Sequence, residues 1–198
     1  FVFTDAFHIN SNALNFGKIR ASWAKVGNDA SPYYNNGTYL LGQPYLGQAQ
    51  MALRDVRFDP KLKPEFTSEV EVGLDLQMFN SRLNLDFSYY NRNSTDQIAP
   101  LSLPYSTGYT SYYTNFGKMN NHGLEIGLDA TPVIAGGFKW NLYGTFSKNW
   151  SEVKELVNGV EEITVGGAFS TPKPVLKVGE PYGILKGTKL ARDEEGNL

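Results

Sequence analysis

From Glu69 to Met78 the chain alternates without a break: Val70, Val72, Leu74, Leu76 and Met78 share one parity, and Glu69, Glu71, Gly73, Asp75 and Gln77 the other. A period of two held over this length predicts a β-strand with one apolar and one polar face. Leu83, Leu85, Phe87 and Tyr89 repeat the pattern opposite Asn84, Asp86, Ser88, Tyr90 and Arg92, and the Asn80-Ser81 pair between the runs suits a tight turn. With Phe79 opposite Arg82, Leu76 faces Leu85, Leu74 faces Phe87 and Val72 faces Tyr89. The polar side then sets Glu69 against Arg92 and Asp75 against Asp86.

A second hairpin follows the same plan. Leu124, Ile126, Leu128 and Ala130 alternate with Gly123, Glu125, Gly127 and Asp129; after "TPVIAGGFK", Trp140, Leu142, Gly144 and Phe146 alternate with Lys139, Asn141, Tyr143, Thr145 and Ser147. A weaker strand comes earlier, where Ile19, Ala21 and Trp23 alternate with Lys18, Arg20, Ser22 and Ala24, and a sixth is expected near Tyr182 to Leu190. The links at 79–82 and 131–138 are short, whereas 27–67, 94–116 and 150–180 are long and rich in Gly, Pro, Asn, Ser and Tyr. In an up-and-down sheet this alternation sends every long loop out of one end. The fold class expected is therefore all-β: an antiparallel up-and-down transmembrane β-barrel segment with long external loops and short periplasmic turns. Strands of about ten residues, tilted near 45°, cross the hydrocarbon layer.

Charge placement is consistent with that reading. A Lys or Arg facing lipid at the midplane costs about 2–4 kcal/mol, falling towards zero at the interface. On the apolar parity the only lysines are Lys25 and Lys148, each where its strand enters a long loop. Phe79, Phe138 and Trp140 lie near the short turns and Trp150 beyond the outer end of its strand, as interfacial girdles do. In this arrangement Val, Ile and Leu face lipid, Glu and Asp face a wet lumen, and Gly makes room inside. The alternative is a soluble all-β sandwich, a carbohydrate-binding or adhesin module, whose apolar stripes turn inward.

Composition narrows the classes. Eighteen Lys and Arg against twenty Asp and Glu give the 198 residues a net charge of -2 without a basic cluster, which argues against nucleic acid. No cysteine means no disulfide framework or thiolate metal site. No apolar run is long enough for a transmembrane helix, and a mean hydropathy of -0.35 is compatible with a barrel, in which alternate residues are polar. The first residue is Phe with no leader ahead of it, and residues 1–198 are expected to be a piece of something longer.

Enzyme chemistry finds little support. Glu71 and Asp75, like Glu125 and Asp129, are four strand residues apart, roughly 13 Å, beyond the ~5–9.5 Å of glycosidase pairs. Asp75 opposite Asp86 is closer, and a neighbouring lumenal Arg or Lys is expected to explain the pair. His8 and His122 lack companions for a metal site. No G-x-S-x-G elbow occurs, and "GGAFSTPKPV" does not follow a phosphate-loop pattern. No catalytic residue, metal or cofactor is expected. The loop "PYSTGYTSYYTNFG" is the candidate binding element: Tyr105, Tyr109, Tyr112 and Tyr113 offer faces for stacking on sugar rings or for a lid partner, with a girdle or loop-packing role as the alternative. Tyr33, Tyr34, Tyr39 and Tyr45 are further candidates for a vestibule.

The stretches "FGKIRASWAKVGN" (16–28), "LKPEFTSEVEVGLDLQMFNSRLNLDFSYYNRNSTDQI" (62–98), "NFGKMNNHGLEIGLDATPV" (115–133), "KWNLYGTFSKNWSEVKEL" (139–156) and "VGEPYGILKG" (178–187) together resemble the C-terminal half of the barrel in SusC/RagA-type TonB-dependent outer-membrane transporters. That resemblance implies a 22-stranded barrel in a Gram-negative outer membrane, closed by an N-terminal plug and capped by a SusD-like lipoprotein. It also implies uptake of oligosaccharides, glycans or peptides with energy delivered through TonB. A siderophore-type TonB-dependent receptor shares the architecture and differs in cargo. The plug, the TonB-contacting segment, the first barrel half and the last strand are not among the matching stretches. Residues 1–198 are thus expected to be a partial barrel domain with two open edges, which lipid cannot satisfy and which does not transport alone.

Overall fold

The computed structural model describes residues 1–9, 11–34, 36–165 and 172–191. Five long strands dominate: β1 (Leu14–Asn28), β5 (Glu65–Met78), β6 (Leu83–Ser102), β7 (Ser111–Ala135) and β8 (Phe138–Leu156). They form one sheet with β1 beside β5, then β6, then β7, and β7 pairs with β8. The alternating runs are all here, in chain order and neighbouring their sequence neighbours. A short helix, α1 (Phe3–Ala6), precedes them, and the Phe1 amino group donates to the Ile19 carbonyl at 2.9 Å.

The predicted hairpin register between β5 and β6 is visible in its hydrogen bonds and ion pair. Arg82 N–H donates to the Phe79 carbonyl at 3.3 Å, Arg92 pairs with Glu69, and Thr95 Oγ1 donates to the Phe66 carbonyl at 3.4 Å. The turn is built from Phe79, Asn80 and Ser81, all left-handed at φ 55, 58 and 59°. Gly136 and Gly137, at φ 55 and 84°, turn β7 into β8; glycine carries no Cβ penalty there.

The long strands run past the apolar stripes that announced them. β6 reaches Ser102 and β7 starts at Ser111, so the 94–116 loop contracts to 103–110, and β8 persists to Leu156. Strand pairing runs through the backbone and needs no apolar face, so the ladder continues while the period-two signal fades. The 27–67 stretch contains β2 (Tyr39–Leu41) and β3 (Met51–Leu53), an antiparallel pair, and β4 (Val56–Phe58), which runs parallel to Ser111–Tyr113 of β7. This is one departure from a purely antiparallel sheet. The expected sixth strand shrinks to β11 (Ile184–Lys186), which pairs with β10 (Lys173–Lys177), itself beside β9 (Glu162–Thr164). Left-handed Gly183, at φ 75°, directly precedes it and sets where it starts. Part of the "GGAFSTPKPV" segment, 166–171, lies outside the described residues.

Two compact units divide the chain. The first comprises Phe1–Val26, Thr67–Asn93 and Asn120–Ser151; the second comprises Gly27–Phe66, Ser94–Met119 and Glu152–Leu198. Among the described residues every buried large apolar side chain belongs to the second unit, where Phe116, Val153, Leu156 and Leu176 form a core flanked by Ala99, Leu101, Ile163 and Val165. In the first unit Trp23, Val70, Val72, Leu128, Trp140, Leu142 and Phe146 stand 42–68% exposed, and Leu74, Phe87 and Ile126 remain half-buried. Among the described residues no large apolar side chain of this face is buried within its unit, so a sandwich core is not what the stripes build.

Candidate functional site

The polar parity of the first unit carries side-chain hydrogen bonds and ion pairs in two groups, around Arg20 and around Arg92. Arg20 on β1 is the centre of the first: its Nη2 lies 3.0 Å from Asp75 Oδ1, 3.1 Å from Asp86 Oδ1 and 3.3 Å from Ser88 Oγ. Lys18 Nζ sits 3.6 Å from Asp75 Oδ2. The Asp75 contact is an ion pair rather than an aligned hydrogen bond. The lumenal cation expected to reconcile Asp75 with Asp86 is therefore Arg20, two strands from Asp86 and one from Asp75. Gly73 permits this reach, because a β-carbon there would lie 2.9 Å from Arg20 Nε and Nη2.

Beside this group lies a pocket of about 430 Å³ whose walls include Glu69, Glu71, Arg92, Tyr90, Glu125 and Asn149. Arg92 is held by Glu69, and the Tyr90 hydroxyl donates to Asn149 Oδ1 at 3.1 Å. Three carboxylates against one guanidinium make the pocket acidic and rich in hydrogen-bond acceptors. Such a surface binds polar, hydrated groups and repels apolar ones.

The second unit holds the tyrosines. The parallel pairing of β4 with β7 sets Arg57 beside Tyr112 and Phe58 beside Tyr113. Successive strand residues point to opposite faces, so the two tyrosines take different company. Tyr113 joins an aromatic cluster, with ring centroids 5.3 Å from Tyr34 and 5.5 Å from Phe58, while Tyr34 and Phe58 lie 4.7 Å apart. The Arg57 guanidinium sits 5.6 Å from the Tyr112 ring centroid. Asp59 ties the corner together: it accepts from the Lys61 N–H and from Thr114 Oγ1, both at 2.9 Å, and its own N–H donates to the Tyr113 carbonyl at 2.9 Å. The Lys61 N–H is the largest influence holding the Asp59 carboxyl below its ordinary value, helped by the Thr114 and Tyr112 hydroxyls against desolvation. Burial first, and then Asp59, raises the Tyr112 phenol.

Tyr105 and Tyr109 stand apart from this cluster on the 103–110 connection. Tyr105 opens a 3₁₀ turn (Tyr105–Thr107) and is 69% exposed, while Tyr109 is half-buried, its N–H donating to Thr107 Oγ1 at 3.3 Å. Tyr33, Tyr39 and Tyr45 are exposed. Only Tyr34, Tyr112 and Tyr113 of the predicted set are thus drawn into the corner on β4 and β7. Reading the sequence missed Arg57, Phe58 and Asp59; the signal was "RFDP", in which an Asx turn follows a short alternating run.

The family model described as TonB dependent receptor-like, beta-barrel matches residues 3–186. TonB-dependent receptor P26 of Formosa agariphila is 30% identical over 191 residues, which are 94% of this chain and 19% of that protein. TonB-dependent receptor SusC of Bacteroides thetaiotaomicron is 28% identical over 160 residues, 75% of this chain and 16% of that one. The chain spans less than a fifth of the length of these curated relatives. Among solved structures, the RagAB peptide importer in its closed-closed state superposes with a TM-score of 0.81 at 21% identity, covering all of this chain and 23% of that one. The RagAB peptide transporter gives 0.77 at 24%, covering 92% and 20%. At these identities the structural likeness is one of fold.

Proposed function

Because the chain belongs to the TonB dependent receptor-like β-barrel family, we propose that it is a wall segment of an energy-coupled nutrient importer in the outer membrane of a Gram-negative bacterium. The carrying observation is the contrast between its two sheet faces. One carries an apolar stripe of which no large side chain is buried among the described residues; the other is laced with ion pairs around Arg20 and Arg92. Lipid satisfies the first and water the second.

The acidic pocket and the tyrosine corner favour a polar cargo, an oligosaccharide or a peptide, over an apolar one. Tyr105 and Tyr109 are proposed to meet that cargo, and Tyr112 and Tyr113 to shape the loop wall around it. A SusD-like lipoprotein is the proposed external partner and the TonB complex the energy source. The assembled barrel needs strands and a plug beyond residues 1–198, since among the described residues β1 and β8 otherwise offer edges to lipid that are unpaired over most of their length.

Neighbouring residues of β7 test the sidedness. Residues 1–198 hold no cysteine, so Leu128→Cys or Asp129→Cys, introduced in the whole transporter freed of any cysteine elsewhere, is the one thiol to react. A membrane-impermeant thiol reagent entering the lumen is expected to modify position 129, and a lipid-soluble one position 128. Equal aqueous reactivity at both, in a protein soluble without detergent, would replace the importer by a water-soluble β module. Transport itself is tested in cells, where removal of TonB is expected to abolish uptake.

A further inference from the structure

The lipid-side parity of the first unit is not apolar throughout. At one end of the stripe, above Leu124, Ile126 and Phe146, a polar group interrupts it: Asn91 and Asn93 on β6, Asn120 and His122 on β7, Lys148 and Trp150 on β8. The group is wired in sequence. Asn120 Nδ2 donates to Asn91 Oδ1 at 2.6 Å and to Asn93 Oδ1 at 2.9 Å, which leaves Asn120 Oδ1 to accept from His122 Nδ1 at 3.1 Å. The His122 ring stacks on Trp150 at 5.5 Å and 15°, and Lys148 Nζ lies 5.9 Å from the centroid of the same indole.

We propose that this group is a binding site for the phosphate of an outer-leaflet lipid headgroup, a proposal that rests on the sidedness assigned above. The Asn120 amide is spent within the cluster, on Asn91, Asn93 and His122, and so fixes the His122 ring. Asn120 sets the His122 ring with Nδ1 as donor, so Nε2 faces no protein partner among the described residues. Lys148 makes no ion pair among them either. The nearest acid further along β8, Glu152, is held by Lys154 at 2.6 Å. A strand face turned to acyl chains thus ends in a preset cation beside an indole, the combination that settles at headgroup depth. A phosphate supplies the charge this end of the face lacks.

The test is a photo-crosslink read in place. In the intact transporter, Phe146→p-benzoylphenylalanine sits on the same parity as Lys148, in nanodiscs holding equal phosphatidic acid and phosphatidylcholine. Crosslinks to phosphatidic acid are expected to exceed those to phosphatidylcholine about fivefold, the preference that one near-surface lysine confers. Lys148→Gln, a change at an exposed side chain, is expected to bring the ratio close to one, and Lys148→Gln with His122→Gln to remove what remains. A ratio near one in the parent protein, or one that neither variant alters, overturns the headgroup site while leaving the sidedness intact. Absence of any lipid crosslink at position 146 overturns the sidedness and the site with it.

Discussion

The Tyr90 ring fills the space that a side chain at Gly123 would need: a β-carbon at 123 would lie 2.6 Å from the Tyr90 hydroxyl and 2.6 Å from the Lys148 carbonyl. The close atoms include backbone, so relief requires the ladder between β7 and β8 to shift. Gly123→Ala is expected to destabilise the folded barrel by about 1–3 kcal/mol, the range for overfilled sites. Gly73→Ala, which meets only the movable end of Arg20, is expected to fall at or below the lower limit. Urea unfolding of the two variants in the same detergent checks the ranking.

Arg20 serves two carboxylates with one nitrogen. Arg20→Gln leaves Asp75 and Asp86 facing each other with Lys18 as the remaining cation near Asp75. Partly exposed pairs are each worth up to about 1 kcal/mol, so a loss of roughly that size per contact is expected. Adding Asp86→Asn to Arg20→Gln is expected to recover part of it. A double-mutant cycle read by denaturant midpoint measures the coupling.

The Asp59 corner predicts two pH limits. A carboxyl held below its ordinary value stabilises the fold above the unfolded pKa of about 3.9 and loses that contribution as pH falls through the folded value. Tyr112 is raised, so its neutral form stabilises below about pH 10 and is lost as pH climbs through the higher folded value. Amide exchange over 55–62 and 110–114 is expected to be slowest relative to the intrinsic rate between these limits and to rise at both. Asp59→Asn is expected to flatten the acid limb and, because Asp59 is one of the two influences that raise Tyr112, to move the alkaline limb to lower pH.

Leu176 is 1% exposed within the core of the second unit. Leu176→Ala is expected to destabilise that unit by about 2–5 kcal/mol, observed as protease sensitivity in 152–165 and 172–191, with less change across 67–93.

Tyr105 offers the most accessible ring of the four loop tyrosines, and Tyr112 is committed to Asp59. Tyr105→Ala is therefore expected to weaken cargo binding severalfold with no change in thermal midpoint, whereas Tyr112→Phe is expected to lower the midpoint. Calorimetry with a candidate oligosaccharide or peptide separates these outcomes.

What the chain announces in advance is set by how local the physics is. Strands with one face in lipid must alternate, so β5, β6 and β7 show themselves by parity, and the glycines of "EVGLD" and "NHGLE" are explained once Arg20 and Tyr90 are seen over them. The Asp75 and Asp86 pairing follows from turn register alone; the identity of the intervening cation depended on β1 lying beside β5. Outside the lipid pattern the signal is lost. β4 reaches β7 by a parallel pairing across fifty-odd residues, a nonlocal event without periodicity, so the company of Tyr112 and Tyr113 was invisible. The end of β6 was misjudged for the same reason: Asn91 to Ser102 keeps its hydrogen bonds without keeping an apolar parity.

Phe79, Asn80 and Ser81 make a single left-handed turn in which Phe79 and Ser81 resist that conformation, each by about 1 kcal/mol. Such a bend does not form first and summon its arms. It is held by clasps from outside the hairpin, where Phe79 N–H donates to the Ala13 carbonyl at 3.3 Å and Ser81 N–H to Asn15 Oδ1 at 3.2 Å. Assembly of this wall should accordingly proceed sideways, with the start of β1 in place before the reversal between β5 and β6 can close, so that the order of zipping follows the sheet's breadth and not the nearest loop.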